Sequence, residues 1–144
     1  MNKKDDIDIL ARTIYGEARG EKRAGREAVA AVVMNRVNKK VQAGLVTVGG
    51  RKLPSVAATC LKPYQFSCWL ESDPNREKII TVSKADALFR ECLEIASQAV
   101  NGRLPDITRG ATHYYNPKVC RAAWAKGKRP CAEIGAHLFF NDID

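Results

Sequence analysis

Apolar residues at Ile7, Leu10, Ala11, Ile14 and Ala18 recur at the spacing of a single helical face and predict a first helix over 4–19. A second is predicted over 22–39, where Ala28, Val29, Ala31, Val32, Val33 and Val37 make a wide apolar face of small and branched residues. Such a face suits close packing in a buried central helix. Asn35 and Arg36 interrupt its apolar end, either as a polar pair turned toward a site or as a C-terminal cap region. A third helix opens at Ser83-Lys-Ala-Asp86, which resembles a capping box with Asp in place of Glu. It carries Ala87, Leu88, Cys92, Ile95, Ala96 and Ala99 inward and stops at Asn101-Gly102 after Val100.

Between the second and third helices the pattern is broken. Gly44, Gly49, Gly50 and Pro54 mark 43–54 as loop or a short irregular hairpin. A short helix is predicted over 55–61, an extended or turned segment over 63–69, and a turn at Asp73-Pro74-Asn75. The last third changes character: 111–115 and 134–140 are aromatic and extended, separated by a proline-bearing, cation-rich stretch from Asn116 to Glu133. The expectation is a single domain over 1–144 of mainly α (α+β) class, with a small antiparallel sheet or hairpin in the C-terminal third.

Composition adds a partner class. Lys and Arg number 24 against 16 Asp and Glu, for a formal net charge of +8, which favours nucleic acid, anionic lipid or an acidic wall polymer. The cations run from Lys3 to Arg129 and are densest over 121–129, rather than lying on one helix face. That spread argues against a nucleic-acid module. The start Met-Asn-Lys-Lys-Asp-Asp lacks the apolar core of a secretory signal, and no apolar run reaches transmembrane length. A chain made in the cytoplasm, with no stable membrane insertion and working as a monomer, is the expectation. Of the five cysteines, Cys92 reads as core, and Cys120 and Cys131 flank a basic loop where they could pair.

For chemistry, Glu17 stands out. It lies at the end of the first helix between Gly16 and Gly20, on the edge of the apolar stripe. Partial burial raises a carboxyl pKa, as a general acid near neutral pH requires. The plainer alternative is a helix-edge carboxylate paired with Arg12 or Arg19. Polar and aromatic groups also gather at Tyr64-Gln-Phe-Ser-Cys-Trp69, at His113-Tyr-Tyr-Asn-Pro117, and at Trp124 with His137. Aromatic faces beside amides and hydroxyls suit sugar rings, and equally suit a core. His113, His137, Cys120 and Cys131 could in principle bind zinc, but their spacing matches no compact motif, so neither metal nor cofactor is expected.

Five segments in order carry a resemblance: Ile14-Tyr-Gly-Glu-Ala-Arg-Gly-Glu21, Ala28-Val-Ala-Ala-Val-Val-Met-Asn-Arg-Val37, Tyr64-Gln-Phe-Ser67, Gly110-Ala-Thr-His-Tyr-Tyr-Asn-Pro117 and Ile134-Gly-Ala-His-Leu-Phe-Phe140. The series resembles the SleB/CwlJ-type cell wall hydrolases, over about residues 7–141. The resemblance implies a small lysozyme-like domain that cuts peptidoglycan between N-acetylmuramic acid and N-acetylglucosamine, with Glu17 as the catalytic acid. It makes Tyr15, Gln65, Phe66, Ser67, His113, Tyr115, Asn116 and Trp124 candidates for holding sugar or walling the cleft. Spore enzymes of this type usually carry a signal peptide and a wall-binding domain. Their absence from this sequence points instead to a phage endolysin, drawn to the anionic bacterial surface and reaching the wall once the membrane is permeabilised.

Carboxylate counting bears on the mechanism. A hydrolysing muramidase of the usual kind needs two acids across the bond. A lytic transglycosylase needs only one, because the muramic 6-hydroxyl attacks its own anomeric carbon. No other acid, Glu21, Glu27, Glu71 and Asp73 included, is an obvious partner, which favours the transglycosylase. A muramidase with a second carboxylate is the alternative; a zinc-dependent wall amidase and a nucleic-acid module are more distant ones.

Overall fold

Asn2 opens the first helix, α1 (Lys3–Ala18), its side chain accepting the Asp5 amide at 2.9 Å. The computed structural model describes residues 2–143. α1 is the centre of the helical part and touches α2 (Arg23–Lys39), α3 (Val56–Leu61), α4 (Asn75–Thr81) and α5 (Ala87–Val100). Its Leu10, Ala11 and Ile14 are fully buried with Val29, Ala30 and Val33 of α2 and Ile95 and Ala96 of α5. The alanines let the backbones approach, as the wide small-residue face predicts. Phe66, Cys68, Ile79 and Cys92 close the same core.

α5 begins later than its capping box suggests. Asp86 is the N-cap and accepts the Phe89 amide at 3.0 Å, while Ser83 sits in the preceding turn. α4, where the sequence indicates only a turn, is held by tertiary contacts. The Arg12 guanidinium donates to the carbonyls of Ile79, Ile80 and Val82 at its C-terminal end. A cation there meets both the exposed carbonyls and the helix dipole.

Within 43–54, residues 45–54 form a regular hairpin of β1 (Leu45–Val48) and β2 (Arg51–Pro54). β3 (His113–Tyr115), β4 (Ala132–Ile134) and β5 (His137–Phe140) make an antiparallel sheet in the order β3-β5-β4. Phe139 on one face of it packs with Ala28, Val32 and Ala111. The mainly helical fold with a small C-terminal antiparallel sheet is as expected. No helix among the described residues is long and apolar enough to cross a membrane.

Candidate active site

Glu17 occupies the last turn of α1, half-buried. Neither arginine that could have neutralised it does so. Arg12 is committed to the end of α4 and to Asp8, and Arg19 donates to Asn75 and covers the Tyr15 ring. Tyr114 on β3 instead donates its hydroxyl to Glu17 Oε1 at 3.0 Å. The Cys68 thiol is a second hydrogen-bond partner. Burial raises the Glu17 pKa, the two hydrogen bonds oppose the rise, the charge of Asp73 adds to it and that of Arg36 subtracts. The net shift is upward.

Gly16 explains how Cys68 reaches the carboxyl. A Cβ at position 16 would stand 2.8 Å from Cys68 Cβ and 2.9 Å from Ile79 Cγ2. Glycine inside a helix costs about 1 kcal/mol against alanine. Here it admits the 67–69 turn and α4 against α1. Trp69 locks that turn by donating to Thr13 Oγ1 at 2.9 Å.

Arg36 lies beneath the site with 5% exposure, its Nε donating to Thr112 O at 2.7 Å and its guanidinium over the Phe66 ring. Among the described residues its Nη1 is buried without a partner. Burial pulls its pKa down, though a guanidinium stays charged at neutral pH. Of the pair Asn35 and Arg36, only Arg36 turns toward Glu17. Asn35 holds Asp106 and the Ala111 carbonyl, shaping the loop that delivers β3.

The other carboxylate near the site is Asp73, whose side chain accepts the Asn75 amide at 2.8 Å. Glu21, one turn beyond Glu17, points elsewhere. Its Oε1 accepts the Ala136 amide and meets His137 Nδ1, both at 3.0 Å. His137 stands edge-on to the Tyr114 ring, 5.1 Å between centroids, so Glu21 braces the ring that binds Glu17.

The sheet separates His113, Tyr115 and Trp124, three of the sequence-predicted sugar contacts, from Glu17. Tyr114 stacks on Phe139 toward the helices. His113 and Tyr115 emerge on the opposite face, where both pack against Trp124, and Tyr115 also stacks on Phe140. Asn116 caps a turn, its Oδ1 accepting the Lys118 amide at 2.9 Å. Tyr15 donates to Asp86 and meets Phe89 edge-on, which ties α1 to α5. Phe66 is 2% exposed under Arg36 and belongs to the core. Ser67 is exposed and Gln65 half-buried, both in the segment leading to Cys68.

The four residues weighed as a zinc set stay in different surroundings. His113 meets Thr112 Oγ1 at 2.9 Å, and burial and Arg36 push its pKa down to about 4, so it is neutral at pH 7. Cys131 reaches the carbonyls of Thr108 and Phe139, and Cys120 that of Asn116. Both thiols are free, so the pairing of Cys120 with Cys131 does not form. Each sulfur is occupied by a backbone acceptor.

The family described as Cell Wall Hydrolase matches residues 20–140. The spore cortex-lytic enzyme of Halalkalibacterium halodurans is 30% identical over 137 residues, covering 95% of this chain and 35% of that enzyme. The Bacillus subtilis spore cortex-lytic enzyme is 30% identical over 135 residues, covering 94% of this chain and 37% of the enzyme. The chain thus spans little more than a third of these relatives. The first alignment covers 95% of the chain, so it reaches into α1.

The catalytic domain of the germination-specific lytic transglycosylase SleB from Bacillus anthracis superposes with a TM-score of 0.67 at 26% identity, over 94% of this chain and 93% of that one. The catalytic domain of Bacillus cereus SleB gives 0.64 at 28% identity, over 94% and 89%. The chain belongs to the cell wall hydrolase family, and its fold is that of the SleB catalytic domain.

Proposed function

We propose that this protein is a peptidoglycan lytic transglycosylase in which Glu17 is the general acid and then the general base. One observation carries the reading: a half-buried carboxyl with raised pKa, passed over by both neighbouring arginines and held by Tyr114. Protonated Glu17 gives its proton to the glycosidic oxygen as the bond from the muramic anomeric carbon breaks. The resulting carboxylate takes the proton of the muramic 6-hydroxyl as that oxygen attacks the same carbon. The products are a 1,6-anhydromuramic end and a free 4-hydroxyl on N-acetylglucosamine, and Glu17 is reprotonated. Intramolecular attack needs no second carboxylate to position water. Tyr114 donates most strongly to the ionised form and so supports the second half-reaction.

Asp73 supports a second reading, a hydrolysing muramidase, because its charge reaches Glu17. Mass spectrometry of purified peptidoglycan after digestion separates the two. Anhydromuramic ends are expected; reducing muramic ends, lost in Asp73→Asn, would replace the transglycosylase by the muramidase. The net charge of +8 and the kinship with wall enzymes support a bacteriolytic, endolysin-like role on anionic walls. Clearing of outer-membrane-permeabilised cells by the added protein tests it.

A further inference from the structure

We propose that the β1–β2 hairpin and the adjoining end of α3 dock on an anionic phospholipid surface. Residues 28–70 contain six Lys and Arg and no Asp or Glu, in a chain that carries 16 acids. Arg36 is buried in the site and Lys39 donates to Gly110 O, which leaves Lys40, Arg51, Lys52 and Lys62. None of these four forms an ion pair among the described residues. Asp6 approaches from α1, but its carboxylate is taken by the Ala57 amide at 2.9 Å.

The same hairpin exposes apolar side chains. Val48 is 57% exposed, Leu45 53% and Leu53 38%. The antiparallel register sets Val46 opposite Leu53 and Val48 opposite Arg51, so these four share one face. Adjoining it, Leu45, Val46, Leu61, Lys62 and Pro63 line an apolar depression of about 610 Å³, and Tyr64, 83% exposed, follows it. A two-stranded hairpin gains little stability alone, and an apolar face turned outward on it calls for a partner.

The hairpin is held ready. Gly49 and Gly50, at φ +56° and +80°, make a two-residue turn matched to strand twist. At its base a Cβ on Gly44 would lie 2.1 Å from the Ala58 carbonyl oxygen, so only glycine lets the strand seat on α3.

Cations alone would suit any polyanion, including wall polymers. Cations interleaved with exposed Val, Leu and Tyr fit an interface where acyl chains take the apolar groups and headgroup phosphates the charges. The binding is peripheral, since no described helix spans a bilayer.

The test is co-sedimentation of the protein with vesicles of phosphatidylcholine alone or with roughly one lipid in three as phosphatidylglycerol. Binding to the anionic vesicles is expected, about tenfold or more above phosphatidylcholine, and weakened at ~0.5 M salt. Arg51→Glu with Lys52→Glu is expected to cut it at least ~20-fold, from about fivefold for each cation near the surface. Val48→Ser with Leu53→Ser is expected to cut it about tenfold, with the melting temperature and the circular dichroism spectrum retained. Equal binding to both vesicle types would overturn the proposal. So would full lipid binding by the serine variant, or binding to purified teichoic acid but not to vesicles. A dimer in solution that dissociates in the serine variant would assign the face to a second copy and equally overturn it.

Discussion

Strand β3 places three rings in succession, His113, Tyr114 and Tyr115, and they serve two different neighbourhoods. Tyr114 faces the helices, stacks on Phe139 and binds Glu17. His113 and Tyr115 face the other way and build a small aromatic core with Trp124 and Phe140. A strand alternates its side chains, so adjacent residues of similar chemistry end up on opposite faces. One face meets Glu17 and the other closes an aromatic cluster. The contrast teaches that in a polar-aromatic motif on a strand, the face a ring takes decides its partners more than its residue type does.

The comparison breaks hardest at Glu17. Glu17→Gln is expected to lower kcat on peptidoglycan at least ~10³-fold, the loss of a general acid. Its folding should not suffer. A carboxyl whose pKa is raised by folding contributes stability below its unfolded pKa and loses that contribution as pH rises through the folded value. The glutamine variant should therefore match the wild type near pH 4 and melt higher at pH 8. A variant that melts lower at pH 8 would refute the burial argument.

Tyr114→Phe comes next, with an expected 10- to 100-fold loss in kcat, the worth of a hydrogen bond to a charged group. The tyrosine lowers the Glu17 pKa against the rise caused by burial, so its removal should move the alkaline limb of the pH–rate profile upward. Tyr115→Phe, one residue away, should leave both rate and profile in place. Equal losses in the two variants would erase the division between faces.

Trp124→Ala tests the other face. It should cost about 2 kcal/mol of stability, less than a fully buried tryptophan because Trp124 is half-buried, with kcat within about threefold of wild type. A folded Trp124→Ala protein with its KM raised tenfold would return Trp124 to the sugar site. The smallest effect is expected at Gly16→Ala. The clash with Cys68 and Ile79 should cost about 1–3 kcal/mol, offset by about 1 kcal/mol of helix propensity. A fewfold drop in kcat should accompany it as Cys68 is pushed from Glu17, readable from parallel melts and initial rates.

Much of the fold is legible along the chain because it rests on local periodicity. α1, α2 and the body of α5 follow their apolar stripes, and the late aromatic segments become β3 and β5. α4 is not legible, since Asn75–Thr81 buries only Ile79 and depends on Arg12, more than sixty residues earlier, to satisfy its last carbonyls. Within the site, Glu17 is marked by its place on the helix edge. Its partners are not. Cys68 lies in no thiol motif, and nothing local distinguishes Tyr114 from Tyr115. The register of β3 against β5, with Tyr114 opposite Phe139, makes that choice.

Sequence alone determined the helical frame, the late sheet, the basic charge and the carboxylate at the end of α1, because each depends on neighbours within a few turns. Tertiary structure decided whether that carboxylate is neutralised. It sends Arg12 and Arg19 to α4, sets Tyr114 and Cys68 against Glu17, and turns His113, Tyr115 and Trp124 into a separate core. The reason is that a carboxyl's pKa and partners depend on burial and on groups distant in the chain, which no local pattern records.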